Sequence, residues 1–290
     1  MVLALPLHHG YGLATLAMAL ALGSPLQLAR RYEIGPMLGR LGPREEPLVV
    51  TVPTLLKRWL DAGPTGSRPS AVITGSAPLG ADLCVRLLDH LGPRLFNLYG
   101  STEAGLVSLA MPEQLRQAPG SVGRPLPGNV VRLVDAAGQD VGEGQVGRML
   151  VRGPFVLPSG ADGWRDTGDL GSRDGQGNLF VRGRSDAMIV SGGENVYPLE
   201  VEEVLSSHPE VAEAVVLAAS DPVFGQRLVA AVVPRPRAVL EEETLREWLR
   251  ERLERHKMPR TLRVLEAIPR NPLGKLDRLE LERQLGLTPP

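Results

Sequence analysis

The sequence predicts an α/β layer that gives way to a run of short strands and then to a compact α+β domain. Three observations carry this. Between Leu48 and Leu98 short apolar runs alternate with a helical pattern, as parallel strands with crossover helices do. Past Gly120 short strands are cut by Gly, Asp and Gln turns. Past Gly183 helices and alternating strands return, over a length normal for an independent unit. At 290 residues the chain is long enough for two domains, expected at 1–183 and 184–290.

The elements follow in order. Met1 to Leu22 is nearly all apolar, but His8-His9-Gly10-Tyr11-Gly12 splits it into pieces too short to span a bilayer, and the stretch lacks a basic n-region. A buried strand, a functional turn and a buried helix (Leu13 to Leu22) are expected there. Leu48–Val52, Ala71–Thr74 and Leu95–Leu98 read as buried parallel strands, with a helix at Ala81–Leu91. Val130–Val134, Arg148–Arg152 and Leu179–Arg182 read as strands of a small barrel or curled sheet. Pro198 has its φ set for a first helical turn, and Glu200, Glu202 and Glu203 suit the positive end of a helix over Leu199–Ser207. Strands at Val211–Ala218 and Leu228–Val233 come next. A helix over Thr244–Arg255, with Leu245, Trp248, Leu249 and Leu253 at helical spacing, precedes a last strand at Leu262–Leu265.

Composition narrows the function classes. With 43% hydrophobic and 22% charged residues and a net charge of −1, nothing electrostatic favours nucleic acid or stable membrane insertion. The single cysteine, Cys84, excludes an internal disulfide framework and fits a reducing, cytoplasmic setting. Lys57, Lys257 and Lys275 are the only lysines beside 29 arginines, so each invites a question about ammonium chemistry.

Several short segments have the composition of binding loops. Tyr99-Gly100-Ser101-Thr102-Glu103 follows a predicted strand. Its freed amides and hydroxyls suit phosphate oxygens and its carboxylate suits Mg²⁺; a plain helix N-cap explains it equally well. Gly75-Ser76-Ala77 also sits past a strand, where open sheets bind flat ligands, although an ordinary turn accounts for it. Asp169, in Trp164-Arg165-Asp166-Thr167-Gly168-Asp169-Leu170, can accept ribose hydroxyls or simply close a turn. Arg270 to Lys275 is a Pro/Gly loop presenting a rare ammonium to a developing negative charge. Gly183 to Glu203, with Arg184, Asp186 and the pair Gly192-Gly193, reads as a segment that both bends and binds. Gly142 to Gly147 matches G-x-G-x-x-G, but a strand follows where a helix is needed, so it reads as a hairpin turn.

In this order LPLHHGYGL, GSAPL, NLYGSTEAG, GSVGRPLPG, GWRDTGDLG, GRSDAMIVSGGENVYPLEVEEVL and PRNPLGKLDR closely resemble the adenylate-forming superfamily of acyl- and aryl-CoA synthetases, adenylation domains and luciferases. The resemblance spans residues 3 to 278. It implies an ATP-dependent enzyme that makes an acyl-adenylate and passes the acyl group to a thiol, with ATP, Mg²⁺, coenzyme A and a fatty or aryl acid as partners. By motif, Gly75, Ser76, Ala77 and Tyr99 would border adenine. Gly100, Ser101 and Thr102 would meet the phosphates, and Glu103 the magnesium. Asp169 and Arg184 would bind ribose, and Lys275 would bridge carboxylate and α-phosphate. His9 would lie on the acyl and thiol route, Asp186 would be the hinge of a mobile C-terminal domain, and Ser191, Gly192 and Gly193 would line a pantetheine channel. Family members carry a phosphate-wrapping loop ahead of the HGYG motif. The expectation is therefore a truncated adenylate-forming large domain, with parallel-sheet layer and small β-barrel, followed by a small α+β domain. Adenylation by the isolated chain is expected to be weak, the alternatives being a non-catalytic nucleotide-binding fragment or half of a split enzyme.

Overall fold

The computed structural model describes residues 1–29, 33–42, 44–64, 66–101, 103–154, 156–157, 162–191, 193–270 and 276–287. They form two units, Met1–Val181 and Arg182–Pro290.

The first unit opens with β1 (Val2–Leu3), α1 (Gly10–Ala21), α2 (Ile34–Leu38), β2 (Leu48–Thr51), α3 (Pro53–Asp61), β3 (Ala71–Gly75), α4 (Ala81–Leu91) and β4 (Leu95–Ser101). β5 (Gly105–Ala110), α5 (Pro112–Gln117) and β6 (Arg124–Pro125) complete its first layer. β1 to β4 are parallel neighbours, each joined to the next by helical crossovers, and β5 and β6 extend the sheet antiparallel. Val49, Val72 and Leu95 bury against Leu56, Leu87 and Leu91 of α3 and α4. Each such side chain contributes about 1.5–3 kcal/mol by leaving water, so this core fixes where the strands end.

Helix α1 departs from expectation. It is not buried: Leu13, Leu20 and Leu22 are exposed, and only Gly12, Thr15 and Ala19 face inward. Small residues on the inner side are the cause, because they let the helix lie close to the chain beneath. A Cβ on Gly12 would stand 2.1 Å from the Pro6 carbonyl oxygen, so that position admits only glycine.

A second sheet holds β7 (Val130–Val134), β8 (Gly147–Arg152), β9 (Arg165–Arg173) and β10 (Leu179–Arg184), in the order β10-β9-β8-β7. This four-stranded sheet stands where a small barrel or curled sheet was expected, and its order leaves β10 and β7 as edges, with β9 inserted where the sequence suggested a turn. The glycine-rich stretch before β8 is a turn, closed by the Gly142 amide donating to Gln145 Oε1 at 2.8 Å.

The second unit contains β11 (Ile189–Ser191), β12 (Glu194–Val196), α6 (Pro198–Ser206), β13 (Val211–Asp221), β14 (Gly225–Pro234), α7 (Glu242–Arg250), β15 (Thr261–Val264) and α8 (Arg278–Gln284). Its sheet runs β12-β11-β14-β13, with β15 parallel to β14. Alternation along β13 serves two cores. Val216 and Ala218 pack with Val201, Leu205, Leu245 and Leu249 of α6 and α7, while Val215 and Leu217 pack with Ile268 and Leu281. Helix α7 ends at Arg250, five residues short of expectation. The chain then turns extended at Glu254 and makes a 3-10 turn over Arg255–Lys257.

Glu202 is carried by α6 into the contact with β13, where it accepts a hydrogen bond from the Val216 amide at 2.8 Å. Burial, with Glu203 and Glu213 adding negative charge, pushes its pKa up to about 7. Folding therefore favours the protonated acid. The stabilisation is complete below the ordinary carboxylate pKa and is lost as pH rises through about 7. Glu202→Gln keeps the acceptor without the charge. Urea unfolding is expected to show the variant more stable than the native protein by about 1–3 kcal/mol at pH 8 and equal at pH 4. A difference that does not change with pH contradicts this account of Glu202.

Candidate active site

The carboxyl ends of β3 and β4 are adjacent because Gly75 pairs with Leu98, so the GSA and YGS segments emerge side by side. Ligands of open α/β sheets bind at this edge. Ser76, the first residue past β3, has φ +63°, a left-handed conformation costly for a residue with a Cβ, and both it and Ala77 are exposed. The HGYG turn reaches the same strand. The Tyr11 hydroxyl lies 3.5 Å from the Ile73 carbonyl oxygen, and burial pushes the Tyr11 pKa well up. His9 precedes α1, half-buried, its ring centre 4.6 Å from that of His8.

β9 brings Asp169 to this edge through an irregular ladder. Arg148 pairs with Leu170 and Leu150 with Asp166, leaving Thr167, Gly168 and Asp169 opposite Met149 alone. Such a bulge re-aims a side chain, and Gly168, at φ +73°, supplies the backbone turn it requires. Thr167 Oγ1 donates to the Met149 carbonyl at 3.0 Å and accepts from the Asp169 amide at 3.1 Å. Arg148 clamps Asp166 at 2.7 Å. The Asp169 carboxylate then accepts the Tyr99 hydroxyl at 2.6 Å, so residues 70 positions apart meet half-buried. The reading of Asp169 as a turn residue is thereby corrected: it lies inside a bulged strand. Thr167 and Gly168 were missed as supports, although a glycine within a β-rich pattern signals a bulge.

No helix follows Tyr99-Gly100-Ser101, against the helix-cap alternative. β4 turns directly into β5, and Ser101 Oγ accepts from the Ala104 amide at 3.0 Å to hold the turn. Glu103 is exposed on that turn. Thr102, Gly192 and Lys275 lie outside the described residues.

In the second unit Arg184 reaches Asp186 through both Nε and a terminal nitrogen at 3.2 Å, and this pairing holds the Asp186 carboxyl below the usual range. Both residues are exposed, with Asp186 in a 3-10 turn. Ser191 pairs with Glu194 across a tight hairpin whose Gly193 has φ +89°. Segment 271–275 is fixed at both flanks. Arg270 pairs with Leu276, the Asp277 amide donates to the Pro269 carbonyl at 2.9 Å, and Arg270 forms an ion pair with Glu213.

Tyr99→Phe is expected to cost about 1.5–3 kcal/mol in urea unfolding, the range for a hydrogen bond to a charged group. A double-mutant cycle with Asp169→Asn should return a coupling of at least about 0.5 kcal/mol. Strict additivity of the two substitutions contradicts the bond.

Both parts of the chain are similar to known proteins. Residues 1–159 match the family model for the AMP-binding enzyme, and residues 200–275 match that for the AMP-binding enzyme C-terminal domain. An indoleacetate–CoA ligase of Aromatoleum aromaticum is 34% identical over 97% of this chain and 58% of its own length. A 2-succinylbenzoate–CoA ligase of Bacillus subtilis is 33% identical over 97% of this chain and 60% of its own. The solved structure of o-succinylbenzoate CoA synthetase from Bacillus subtilis in complex with its acyl-adenylate intermediate superposes with a TM-score of 0.86 at 32% identity, covering 99% of this chain and 61% of that one. The chain thus spans about three-fifths of the length of these relatives. With a family model matched over more than half its residues and both parts in family order, the chain belongs to the AMP-binding enzyme family of the adenylate-forming superfamily.

Proposed function

We propose that the protein carrying this chain is an ATP-dependent acid–thiol ligase. It joins a carboxylic acid to AMP with release of pyrophosphate, then transfers the acyl group to coenzyme A. The observation that most supports this is the Tyr99–Asp169 bond of 2.6 Å at the edge where Ser76 and Ala77 stand exposed. A ribose presented there meets a fixed carboxylate acceptor, and a purine meets the Tyr99 ring and the backbone of Gly75, Ser76 and Ala77. Gly100, Ser101 and Thr102 are assigned to the phosphates, and Arg184 to the ribose. Fixed donors of this kind act on charge that develops during transfer.

The metal assigned to Glu103 fits a shared site rather than a protein cage. Glu103 is a single exposed carboxylate, and among the described residues no cluster of three metal-ligating side chains occurs. Mg²⁺ is commonly held by one or two carboxylates together with substrate phosphates and water. When bound it supplies neutralisation of phosphate charge. Lys275 is assigned the bridging ammonium, on a segment whose flanks are fixed to the second unit's sheet. His9 is assigned to the acyl route, Asp186 to the hinge, and Ser191, Gly192 and Gly193 to the pantetheine channel. Named relatives act on indoleacetate and 2-succinylbenzoate, so an aryl acid is the substrate class proposed ahead of a fatty acid.

The test is an assay of the full-length protein with ATP, coenzyme A and a panel of aryl and fatty acids. Equimolar AMP and acyl-CoA are expected, with an aryl acid preferred; release of ADP instead of AMP overturns the reading. Lys275→Ala is expected to slow ATP–pyrophosphate exchange by about a hundredfold or more, with a far smaller loss in thioester formation from supplied acyl-adenylate. Equal losses in both half-reactions remove Lys275 from its role.

A further inference from the structure

Strand β13 breaks its own alternation near its start, and the break carries a charge. Val211 pairs with Pro234 and Glu213 with Val233, so β13 advances two residues where β14 advances one. In a regular strand Val211 and Glu213 would share a face. Here Val211 packs with Val216 and Ala218 in the core built with α6 and α7. The Glu213 side chain instead forms an ion pair with Arg270, which follows Ile268 of the core around Val215, Leu217 and Leu281. Such a bulge re-aims a side chain, and what it aims here is a carboxylate at a guanidinium.

Arg270 immediately precedes Asn271, Pro272, Leu273, Gly274 and Lys275. It pairs with Leu276 on the far side of that segment, and the Asp277 amide donates to the Pro269 carbonyl at 2.9 Å, so the two flanks close on each other. Ile268 is buried, and Leu276 packs against the same core. Just beyond, the Asp277 carboxylate accepts from the Glu280 amide at 3.1 Å and opens α8. The half-buried ion pair with Glu213 ties these flanks to the sheet, and guanidinium–carboxylate pairs fix direction as well as distance. For the fold alone the carboxylate carries a cost, because its charge acts against the buried Glu202 on α6.

A lysine ammonium on its flexible stem falls where the backbone beneath it is held. Charge that develops in a transition state is stabilised by groups set in place beforehand, and a misplacement of about 1 Å can cost about a hundredfold in rate. We propose that Glu213 is a positioning residue for adenylation: acting through Arg270, it sets the base of the segment that carries Lys275. The proposal rests on the ligase reading above and on the role assigned there to Lys275.

The experiment uses the full-length protein with ATP and an acid that it activates. Glu213→Gln keeps the size of the side chain and removes its charge. It is expected to lower kcat for ATP–pyrophosphate exchange about tenfold or more, while KM for ATP and thioester formation from supplied acyl-adenylate stay within about twofold of native. Glu213→Asp keeps the charge and is expected to lose clearly less. In a Lys275→Ala background Glu213→Gln is expected to cost nothing further, because it acts through that lysine. An undiminished exchange rate for Glu213→Gln overturns the proposal, and so does an equal loss for Glu213→Asp. Equal losses in both half-reactions, or a full additional loss on top of Lys275→Ala, mark a general structural role and overturn it as well. If the native protein shows no acid-dependent exchange, the ligase reading itself fails and this proposal falls with it.

Discussion

A phenol hydroxyl and a carboxylate 2.6 Å apart tie the two sheets of the larger unit together at the place where their loops are richest in chemistry. The contact demands two irregularities at once. β4 must shift register between Tyr99 and Gly100 as it turns into β5, and β9 must set three residues against Met149. A regular ladder would place one residue there and lose the aim of Asp169. Arg148, Thr167 and Gly168 each hold part of that bulge, so the acceptor is positioned by a chain of contacts rather than by one side chain. Preorganisation of this kind lets a carboxylate recognise ribose hydroxyls without moving.

The smaller unit solves a different problem. Its sheet has apolar residues on both faces, so α6 and α7 cover one side and α8 the other. Covered on both faces, the sheet carries short hairpins at its ends. The Ser191 hairpin and the Asp221–Gly225 connection are tied at one end, and Arg270 and Leu276 close the base of the lysine segment. Glu213, on β13, holds Arg270 at that base and also adds to the charge that raises Glu202.

Sequence reading was most successful where burial dictates composition. The apolar runs at Leu48, Ala71 and Leu95 became parallel strands, and the alternating stretch from Val211 became a two-faced strand. It was weakest where a site dictates composition. β9 is written in Arg, Asp, Thr and Gly, residues chosen to build a bulge and present a carboxylate, and by propensity these resemble a turn. α1 is apolar nearly all round and offers no stripe, so the sequence could not show that its small residues face inward. The motifs Gly75 to Ala77 and Tyr99 to Ser101 were legible because each sits at the end of a strand. The partnership of Tyr99 with Asp169 was not, since it depends on a fold-level meeting of residues 70 positions apart.

Every assignment in the first unit supposes that one nucleotide is gathered at the carboxyl ends of β3 and β4. A crystal structure of the full-length protein with AMP tests this most directly. The account predicts ribose hydroxyls within hydrogen-bond distance of the Asp169 carboxylate and the purine against Tyr99 and the Ser76 backbone. AMP bound elsewhere on the molecule, with Asp169 contacting no part of it, would contradict the account.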